Sequence, residues 1–300
     1  MSTIERALSR KKQQAEHGEN RLSSGDAPPP DNTPATDHKP AAGGTELTDV
    51  RFQPRGPLLK IDVNDLRRNS MYPTPAMEDR IGNEYRRIKR PLVSNATGHG
   101  VMQVDRGNLI MVTSAVEGEG KTFTALNLAL SIARDPDLSI TLVDGDVARA
   151  SLSRLLGANR QPGLLDLLAD ESLSPMDLIM PTNVESLSVL PAGTRHALSE
   201  ELLSSARMGR IFSQLADTSP NHFILFDSSP VLAAPDAVTL SHHVGQIVVV
   251  VKASSTLRHQ VTTCVDQLDP DKAINMVLNQ SLGGPGGDHY GGYYGYGDDR

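Results

Sequence analysis

The segment that most constrains the fold is AVEGEGKT, residues 115–122, because of what stands on either side of it. The apolar run LIMV precedes it, and the helix-like run 123–133 follows it. A strand, a glycine-bearing loop ending in Gly-Lys-Thr and a helix start predict a nest of backbone N–H groups that holds the phosphates of a nucleotide. Ala115 stands where the strict pattern has Gly, so a plain glycine-rich turn is the alternative. The flanking elements favour phosphate binding.

From residue 108 onward, short β-branched apolar runs alternate with helical periods. This alternation predicts an α/β fold in which helices cover both faces of a mostly parallel sheet. The predicted strands are 109–114, 139–143, 186–190, 222–227, 246–251 and 274–279. The predicted helices between them are 121–133, 149–156, 163–169, 199–216, 235–242 and 257–268. An earlier helix is predicted at 78–90, ended by Pro91.

Changes of composition divide the chain into four parts. Residues 1–15 form a short amphipathic segment, and 16–77 read as a mostly disordered linker rich in Pro, Gly, Ser, Thr and Asp. The folded domain is predicted at 78–282. Residues 283–300 form a Gly/Tyr-rich tail without a packable periodicity.

Composition also limits the class of protein. The single cysteine, Cys264, excludes an internal disulfide framework and fits a reducing cytosol. A net charge of −7 argues against general nucleic-acid binding. No apolar run approaches the roughly 18 residues of a membrane span, and the charged N-terminus lacks a signal-peptide core. We therefore expect a soluble cytoplasmic protein.

Two predicted strands deliver carboxylates at their carboxyl ends. Asp144 and Asp146 follow the strand 139–143, and Asp227 follows the apolar run 223–226. Carboxyl ends of parallel strands meet at one edge, so these groups are expected beside the Gly-Lys-Thr loop. Such carboxylates suit Mg²⁺ and proton transfer, whereas the alternative is that each caps the next helix.

The tail concentrates the tyrosines of the chain. Of six tyrosines, four lie in the last eleven residues: Tyr290, Tyr293, Tyr294 and Tyr296. Gly/Tyr tracts are otherwise typical of sticky, stacking segments. A phosphate loop in the same chain favours phosphoacceptors.

These separated pieces resemble one family, the bacterial tyrosine autokinases of exopolysaccharide biosynthesis, whose P-loop NTPase fold is similar to that of MinD/ParA-like ATPases. The resemblance covers about residues 78–300. It is carried by TSAVEGEGKT, ITLVDGDVAR, LPAG, FILFDSSP and the tyrosine tail. STIERAL and KRPLVSNA resemble the exosortase-associated subgroup.

Val116 stands where MinD/ParA relatives carry a signature Lys, which favours the kinase branch. Glu117 replaces a common Pro and adds negative charge near the phosphates.

The resemblance implies an ATP- and Mg²⁺-dependent kinase that phosphorylates its own tail between subunits. Asp144 would be the base, Asp146 and Asp227 would hold Mg²⁺ with Thr122, and Lys121 would stabilise the transferred phosphoryl group. Nucleotide contacts are implied for Glu117, Gly118, Glu119, Gly120, Lys121, Thr122, Phe123 and Asn279. For Asn279 a simple strand-end turn is the alternative.

The resemblance also implies partners. Glu84, Arg87 and Arg90 fall on one stripe of the predicted helix 78–90, which by itself reads as a solvated charged face. They match an E-x-x-R-x-x-R helix that packs relatives into a ring. A separate membrane-embedded chain-length (polysaccharide co-polymerase) protein would activate the kinase and hold it at the inner membrane, and a tyrosine phosphatase would oppose it.

Two other functions stay open at this point. One is a MinD/ParA-like ATPase that switches partners without phosphorylating protein. The other is a scaffold that binds nucleotide structurally and self-associates through its tail.

Overall fold

The computed structural model describes residues 52–100, 104–195, 197–217, 219 and 221–281. Within these residues seven strands form one sheet, in the order β3-β4-β2-β5-β1-β6-β7. All neighbouring strands are parallel except the pair β3 and β4. The strands are β1 Leu109–Ser114, β2 Ser139–Asp144, β3 Met180–Pro181, β4 Leu187–Leu190, β5 His222–Asp227, β6 Gln246–Lys252 and β7 Ala273–Asn279.

The helices connect these strands and cover both faces of the sheet. They are α1 Val63–Arg68, α2 Glu78–Ala96, α3 Lys121–Ala133, α4 Ser151–Leu155, α5 Leu164–Ala169, α6 Pro175–Leu178, α7 Ser199–Leu203, α8 Ala206–Ala216, α9 Pro235–Ser241 and α10 Arg258–Gln267, with a short 3₁₀ turn at Pro75–Met77. In the part of the chain that the structure describes, no helix is both long and apolar enough to cross a bilayer.

The strands are apolar throughout because each face of the sheet is covered. Along β1, Ile110 and Val112 join the hydrophobic cluster on one face, while Leu109 and Met111 join the cluster on the other. Successive side chains of a strand point to opposite faces, so a strand buried on both sides carries no polar alternation. The predicted α/β class with a mostly parallel sheet is confirmed.

Residues 52–77 differ from the prediction, which assigned them to a disordered linker. Leu59, Ile61, Leu66 and Tyr72 are buried in the hydrophobic cluster that includes α3. The apolar residues of this stretch are sparse and interrupted by prolines, so periodicity does not reveal them. Their burial against the domain supplies the stability that the local sequence lacks. The linker assignment is wrong for 52–77, whereas its residues 16–51, the segment 1–15 and the tail 283–300 lie outside the described residues.

Helix α2 also differs, because it continues to Ala96 instead of ending before Pro91. A proline inside a helix removes one hydrogen bond and costs about 3 kcal/mol. Here the last turn is held by the core: Leu92 is buried, its carbonyl accepts a hydrogen bond from Gln246 Nε2 at 2.9 Å, and Asn95 Nδ2 donates to Gln246 Oε1 at 3.0 Å. Tertiary packing therefore overrides the local signal.

Two smaller differences concern the second half of the chain. The predicted helix 199–216 is two helices, α7 and α8, separated at 204–205. The short elements α6 and β3 were not predicted, since four and two residues carry no readable period.

A buried histidine lies at the amino end of β5. His222 is fully buried, with Ser139 Oγ 2.7 Å from Nδ1 and Thr141 Oγ1 3.0 Å from Nε2. The Phe52 ring stacks on it at a centroid distance of 3.6 Å. Burial lowers the pKa of His222 to about 3 because it disfavours the charged ring.

We predict that this histidine makes the fold sensitive to acid. Between its ordinary pKa of 6.5 and about 3, the unfolded chain binds the proton and the folded chain does not, so stability falls as the pH falls. The expected loss between pH 7.5 and pH 5 is about 2 kcal/mol from this group. Urea denaturation of the wild type and of His222→Asn at both pH values measures it. His259→Asn, at an exposed position of α10, is the control and should retain the wild-type pH dependence. Equal pH dependence in the wild type and His222→Asn would contradict the prediction.

Candidate functional site

The loop between β1 and α3 has the backbone of an anion nest. Gly118 and Gly120 adopt left-handed φ angles of 76° and 94°, and α3 begins directly at Lys121. The first backbone N–H groups of a helix have no partners within it, and their partial positive charge attracts anions. The left-handed φ of Gly120 would strain any other residue, and a Cβ atom there would also displace the Asn279 amide. The local geometry is that of a phosphate-binding loop.

The Glu119 side chain stabilises this loop through hydrogen bonds. Its side chain is buried and accepts hydrogen bonds from Val116 N at 2.8 Å, from Lys252 N at 3.3 Å and from the Thr256 hydroxyl. The predicted nucleotide contact is therefore left to the Glu119 backbone. The sequence shows Glu119 in the loop, but not that β6 and the turn after it supply its partners.

Asn279 also connects the loop to the sheet. Its Nδ2 donates to the Glu119 carbonyl at 2.8 Å, and its Oδ1 accepts from Gln280 N at 2.9 Å. With both ends of the amide engaged, the geometry favours the strand-end role over the purine contact. The Phe123 ring packs against the core, 6.5 Å from the Tyr85 ring, and its nucleotide contact stays a prediction.

We predict that removing the Glu119 side chain weakens nucleotide binding. Glu119→Ala removes the acceptor of three part-buried donors and frees the loop to leave the nest geometry. The affinity for a fluorescent ADP analogue should fall on the order of tenfold, by titration, and the melting temperature should also fall. Glu185→Ala, at an exposed position near the amino ends of the strands, is the matched control and should change neither quantity. An unchanged ADP affinity in Glu119→Ala would show that the loop does not need the hydrogen bonds of this side chain.

Three carboxylates gather beside the loop. Asp144 and Asp227 lie directly opposite each other at the ends of β2 and β5, and Val112 of β1 also pairs with Asp227. Asp146 follows two residues after Asp144. The exposed fractions of Asp144, Asp146 and Asp227 are 0%, 6% and 1%. The structure thus brings together the carboxylates that were predicted to converge.

Burial and mutual repulsion change how these groups titrate. Burial raises the pKa of Asp227 to about 8, and the charge of Asp144 adds to the rise, while the Thr122 hydroxyl and the Lys121 charge oppose it. Burial also raises the pKa of Asp144 to about 6, against the hydrogen bonds from Ser153. The influence of Lys121 and Thr122 on Asp227 places the loop and the carboxylates in one electrostatic site.

The unpartnered oxygens of this site fit a divalent cation. Among the described residues, no donor reaches hydrogen-bond geometry with either Asp227 oxygen, although the Thr122 hydroxyl is near enough to influence its pKa, and Asp144 Oδ1 has no partner. Buried carboxylate oxygens are nearly always paired, so these are suited to a cation or to a donor that the described residues do not supply. Within the described residues no three Asp, Glu, His or Cys side chains form a complete metal centre. Mg²⁺ bound with a triphosphate needs only one or two carboxylates.

Asp146 is fixed by groups that the sequence analysis did not assign. Ser229 Oγ donates to Asp146 Oδ1 at 3.1 Å, and Arg149 N approaches the same oxygen at 3.3 Å. The Arg149 guanidinium forms an ion pair with Glu117, and both side chains are about half exposed. Such a pair contributes only about 0–1 kcal/mol to stability, but it offsets the negative charge that Glu117 brings to the loop.

The remaining predicted residues lie away from this site or outside the described chain. Glu84, Arg87 and Arg90 are exposed on α2, and Glu84 accepts a hydrogen bond from Arg80 at 3.2 Å. Neither Arg87 nor Arg90 forms an ion pair with another described residue. The tail tyrosines, Tyr290, Tyr293, Tyr294 and Tyr296, lie outside the described residues.

The Gly-Lys-Thr loop lies between β1 and α3, at the carboxyl edge of a doubly wound, mostly parallel sheet. This arrangement defines a P-loop nucleotide-binding domain. The relatives of this chain are bacterial tyrosine-protein kinases. It is 28% identical over 230 residues to the tyrosine-protein kinase Ptk of Acinetobacter johnsonii, which covers 75% of this chain and 30% of that protein. It is 28% identical over 172 residues to the tyrosine-protein kinase YwqD of Bacillus subtilis, covering 57% of this chain and 71% of that protein.

A solved structure agrees with these relatives. The VpsO kinase domain superposes with a TM-score of 0.58 at 26% identity, over 70% of this chain and 100% of that one. No protein-family model matches the chain. The chain spans less than a third of the length of the first curated relatives it matches. The predicted resemblance to the bacterial tyrosine kinases is confirmed, while the finer subgroup stays a prediction.

Proposed function

We propose that this chain is an ATP-dependent protein-tyrosine kinase that transfers the γ-phosphoryl group of ATP to tyrosines of its own C-terminal tail. The observation that carries the proposal is the group of unpartnered oxygens on Asp144 and Asp227, buried beside the Lys121–Thr122 end of a phosphate nest. The named relatives and the VpsO kinase domain support the same chemistry.

In this proposal the chain positions charges around the transferred group. Asp146, Asp227 and the Thr122 hydroxyl would hold Mg²⁺, and the ion would neutralise charge on the phosphate oxygens. Lys121 and the loop amides stabilise the negative charge of the transferring phosphoryl group. Asp144 accepts the proton of the tyrosine hydroxyl as the new P–O bond forms and ADP leaves. A pKa near 6 leaves Asp144 ionised at neutral pH, yet more basic than an ordinary Asp.

The tail starts from the same edge of the sheet. Strand β7 ends at Asn279, whose side chain bonds to the loop. Tyr290 follows eleven residues later, so the extended chain reaches roughly 36–40 Å from there. That length permits transfer within one chain or to a neighbouring subunit. We propose transfer between subunits, as the resemblance implies, with Glu84, Arg87 and Arg90 contacting the neighbour.

The wider role is also a proposal. We propose that the kinase regulates exopolysaccharide polymerisation and export from the cytoplasmic side of the inner membrane. A separate membrane-embedded chain-length protein would recruit and activate it, and a tyrosine phosphatase would reverse its modification.

We predict that labelled phosphate from ATP accumulates on the tail tyrosines of the full-length chain with Mg²⁺, as read by mass spectrometry. Lys121→Met and Asp144→Asn should each lower the rate of labelling on the order of 10²-fold or more, because each removes a group that acts in the transition state. Lys60→Met, at an exposed position of the N-terminal stretch, is the matched control for a lost lysine charge.

Three outcomes separate the possible functions. ATP hydrolysis without labelled protein would identify a MinD/ParA-like ATPase. Bound nucleotide with neither labelling nor hydrolysis would identify a scaffold. Labelling that persists in both Lys121→Met and Asp144→Asn would show that the proposed site is not the catalytic one.

We further predict that transfer occurs between subunits. A Lys121→Met chain with an intact tail is mixed with a chain whose four tail tyrosines are changed to Phe. The first chain has the acceptors and the second has the active site, so label should appear on the tail of the first. The two chains incubated separately are the controls and should stay unlabelled. If the mixture also stays unlabelled while the wild type is labelled, transfer is confined to one chain.

A further inference from the structure

Ser153 is the buried group in closest contact with the proposed base. It lies in α4 with an exposed fraction of 1%. Both its backbone N and its Oγ donate hydrogen bonds to Asp144 Oδ2, each at 2.7 Å. Immediately before α4, Ala150 adopts a left-handed φ of 47°, which is uncommon for a residue other than glycine.

The Ser153 hydroxyl is itself fixed from the other side. Ala192 N donates to Ser153 Oγ at 3.0 Å. The segment around Ala192 is in turn held by Asp166 Oδ2, which accepts hydrogen bonds from Gly163 N at 2.8 Å and from Thr194 N at 2.9 Å. A hydroxyl has one proton to donate, and here that proton is directed to Asp144 because the acceptor side faces Ala192.

The result for Asp144 is an asymmetric carboxylate. Oδ2 receives two hydrogen bonds, whereas Oδ1 is buried without a partner among the described residues. Two donors on one oxygen restrict rotation of the carboxylate about its χ2 bond. The oxygen left free is therefore the same one in every molecule.

We propose that Ser153 is a positioning residue: it locks Oδ2 of Asp144 so that Oδ1 alone receives the proton of the acceptor hydroxyl. The proposal rests on the kinase function proposed above. A misplacement of a reacting group by about 1 Å can cost on the order of 10²-fold in rate, so a fixed carboxylate oxygen has a measurable effect.

A purely structural role for Ser153 is the competing explanation, since its hydroxyl also holds the segment 190–194. The two roles are separable, because Asp166 anchors the same segment without contacting Asp144. Asp166→Ala loosens the segment and leaves the bonds between Ser153 and Asp144 in place. Ser153→Ala removes the hydrogen bonds of the hydroxyl to Asp144 and to the segment 190–194. Ser153→Thr keeps the hydroxyl.

The kinetic test compares these variants in the full-length chain by labelling rate at saturating and subsaturating ATP. Ser153→Ala should lower kcat about 10- to 100-fold, with the KM for ATP changed less than about twofold. Ser153→Thr should recover most of the rate. Asp166→Ala should lower the melting temperature while its kcat stays within about threefold of the wild type. Ser151→Ala, on the same helix, is the control for helix α4. A wild-type kcat in Ser153→Ala, or an equal loss in Asp166→Ala, would overturn the proposal.

A structural readout decides the matter independently of activity. Crystal structures of nucleotide-free wild type and Ser153→Ala should show one Asp144 orientation in the first and a rotated or split carboxylate in the second. An unchanged Asp144 in Ser153→Ala would sink the inference. If the wild type transfers no phosphoryl group, the proposed function fails, and the two crystal structures still decide whether Ser153 positions Asp144.

Discussion

The parallel pairing of β2 with β5 is the constraint on which the site depends. Its register sets Asp144 directly opposite Asp227, and the pairing of β1 with β5 brings the loop to the same edge. A shift of one residue would turn each carboxylate to the other face of the sheet. Both faces of these strands pack into hydrophobic clusters, so the burial that stabilises the fold also supports the edge at which the carboxylates lie.

That burial has an energetic consequence for the carboxylates themselves. Removing ionised groups from water is costly unless donors or cations compensate, and the rise in the pKa of Asp144 and Asp227 expresses that cost. The chain compensates unevenly. Asp144 receives two hydrogen bonds from Ser153, and Asp146 receives one from Ser229 and one from the Arg149 backbone, whereas both oxygens of Asp227 are left without a partner among the described residues. This unevenness distinguishes three residues of the same type, and it suits them to different tasks.

Much of this arrangement could be predicted from the sequence, because it follows from the pattern of apolar residues and from the positions of the Asp and Gly residues relative to the strands. Strand bounds such as 109–114 and 222–227 agree with the structure, since continuous apolar runs between turns leave little choice. The convergence of Asp144, Asp146 and Asp227 followed from the rule that parallel strands share a carboxyl edge. The nest at Gly118 and Gly120 followed from the loop's place between strand and helix.

The parts that could not be predicted depend on contacts between distant segments. Two of the three donors to the Glu119 side chain lie more than 130 residues further along the chain. The contact of Ser153 with Asp144 follows a turn in which Ala150 has a left-handed backbone, and no hydrophobic period reveals that turn. Residues 52–77 pack against a hydrophobic cluster formed by distant parts of the chain. The continuation of α2 through Pro91 likewise depends on contacts with the core. In each case tertiary structure outweighs a local preference that points elsewhere.

The bond between Asn279 and the Glu119 carbonyl ties the last strand to the loop at the point where the tail departs. The tail can therefore be shortened without loss of this bond only if Asn279 is kept. A chain truncated before Asn279, two residues ahead of Ser281, would lose this hydrogen bond to the loop together with the tail. A shortened chain made to study the core without its tyrosines should accordingly keep Gln280, whose backbone orients the Asn279 amide.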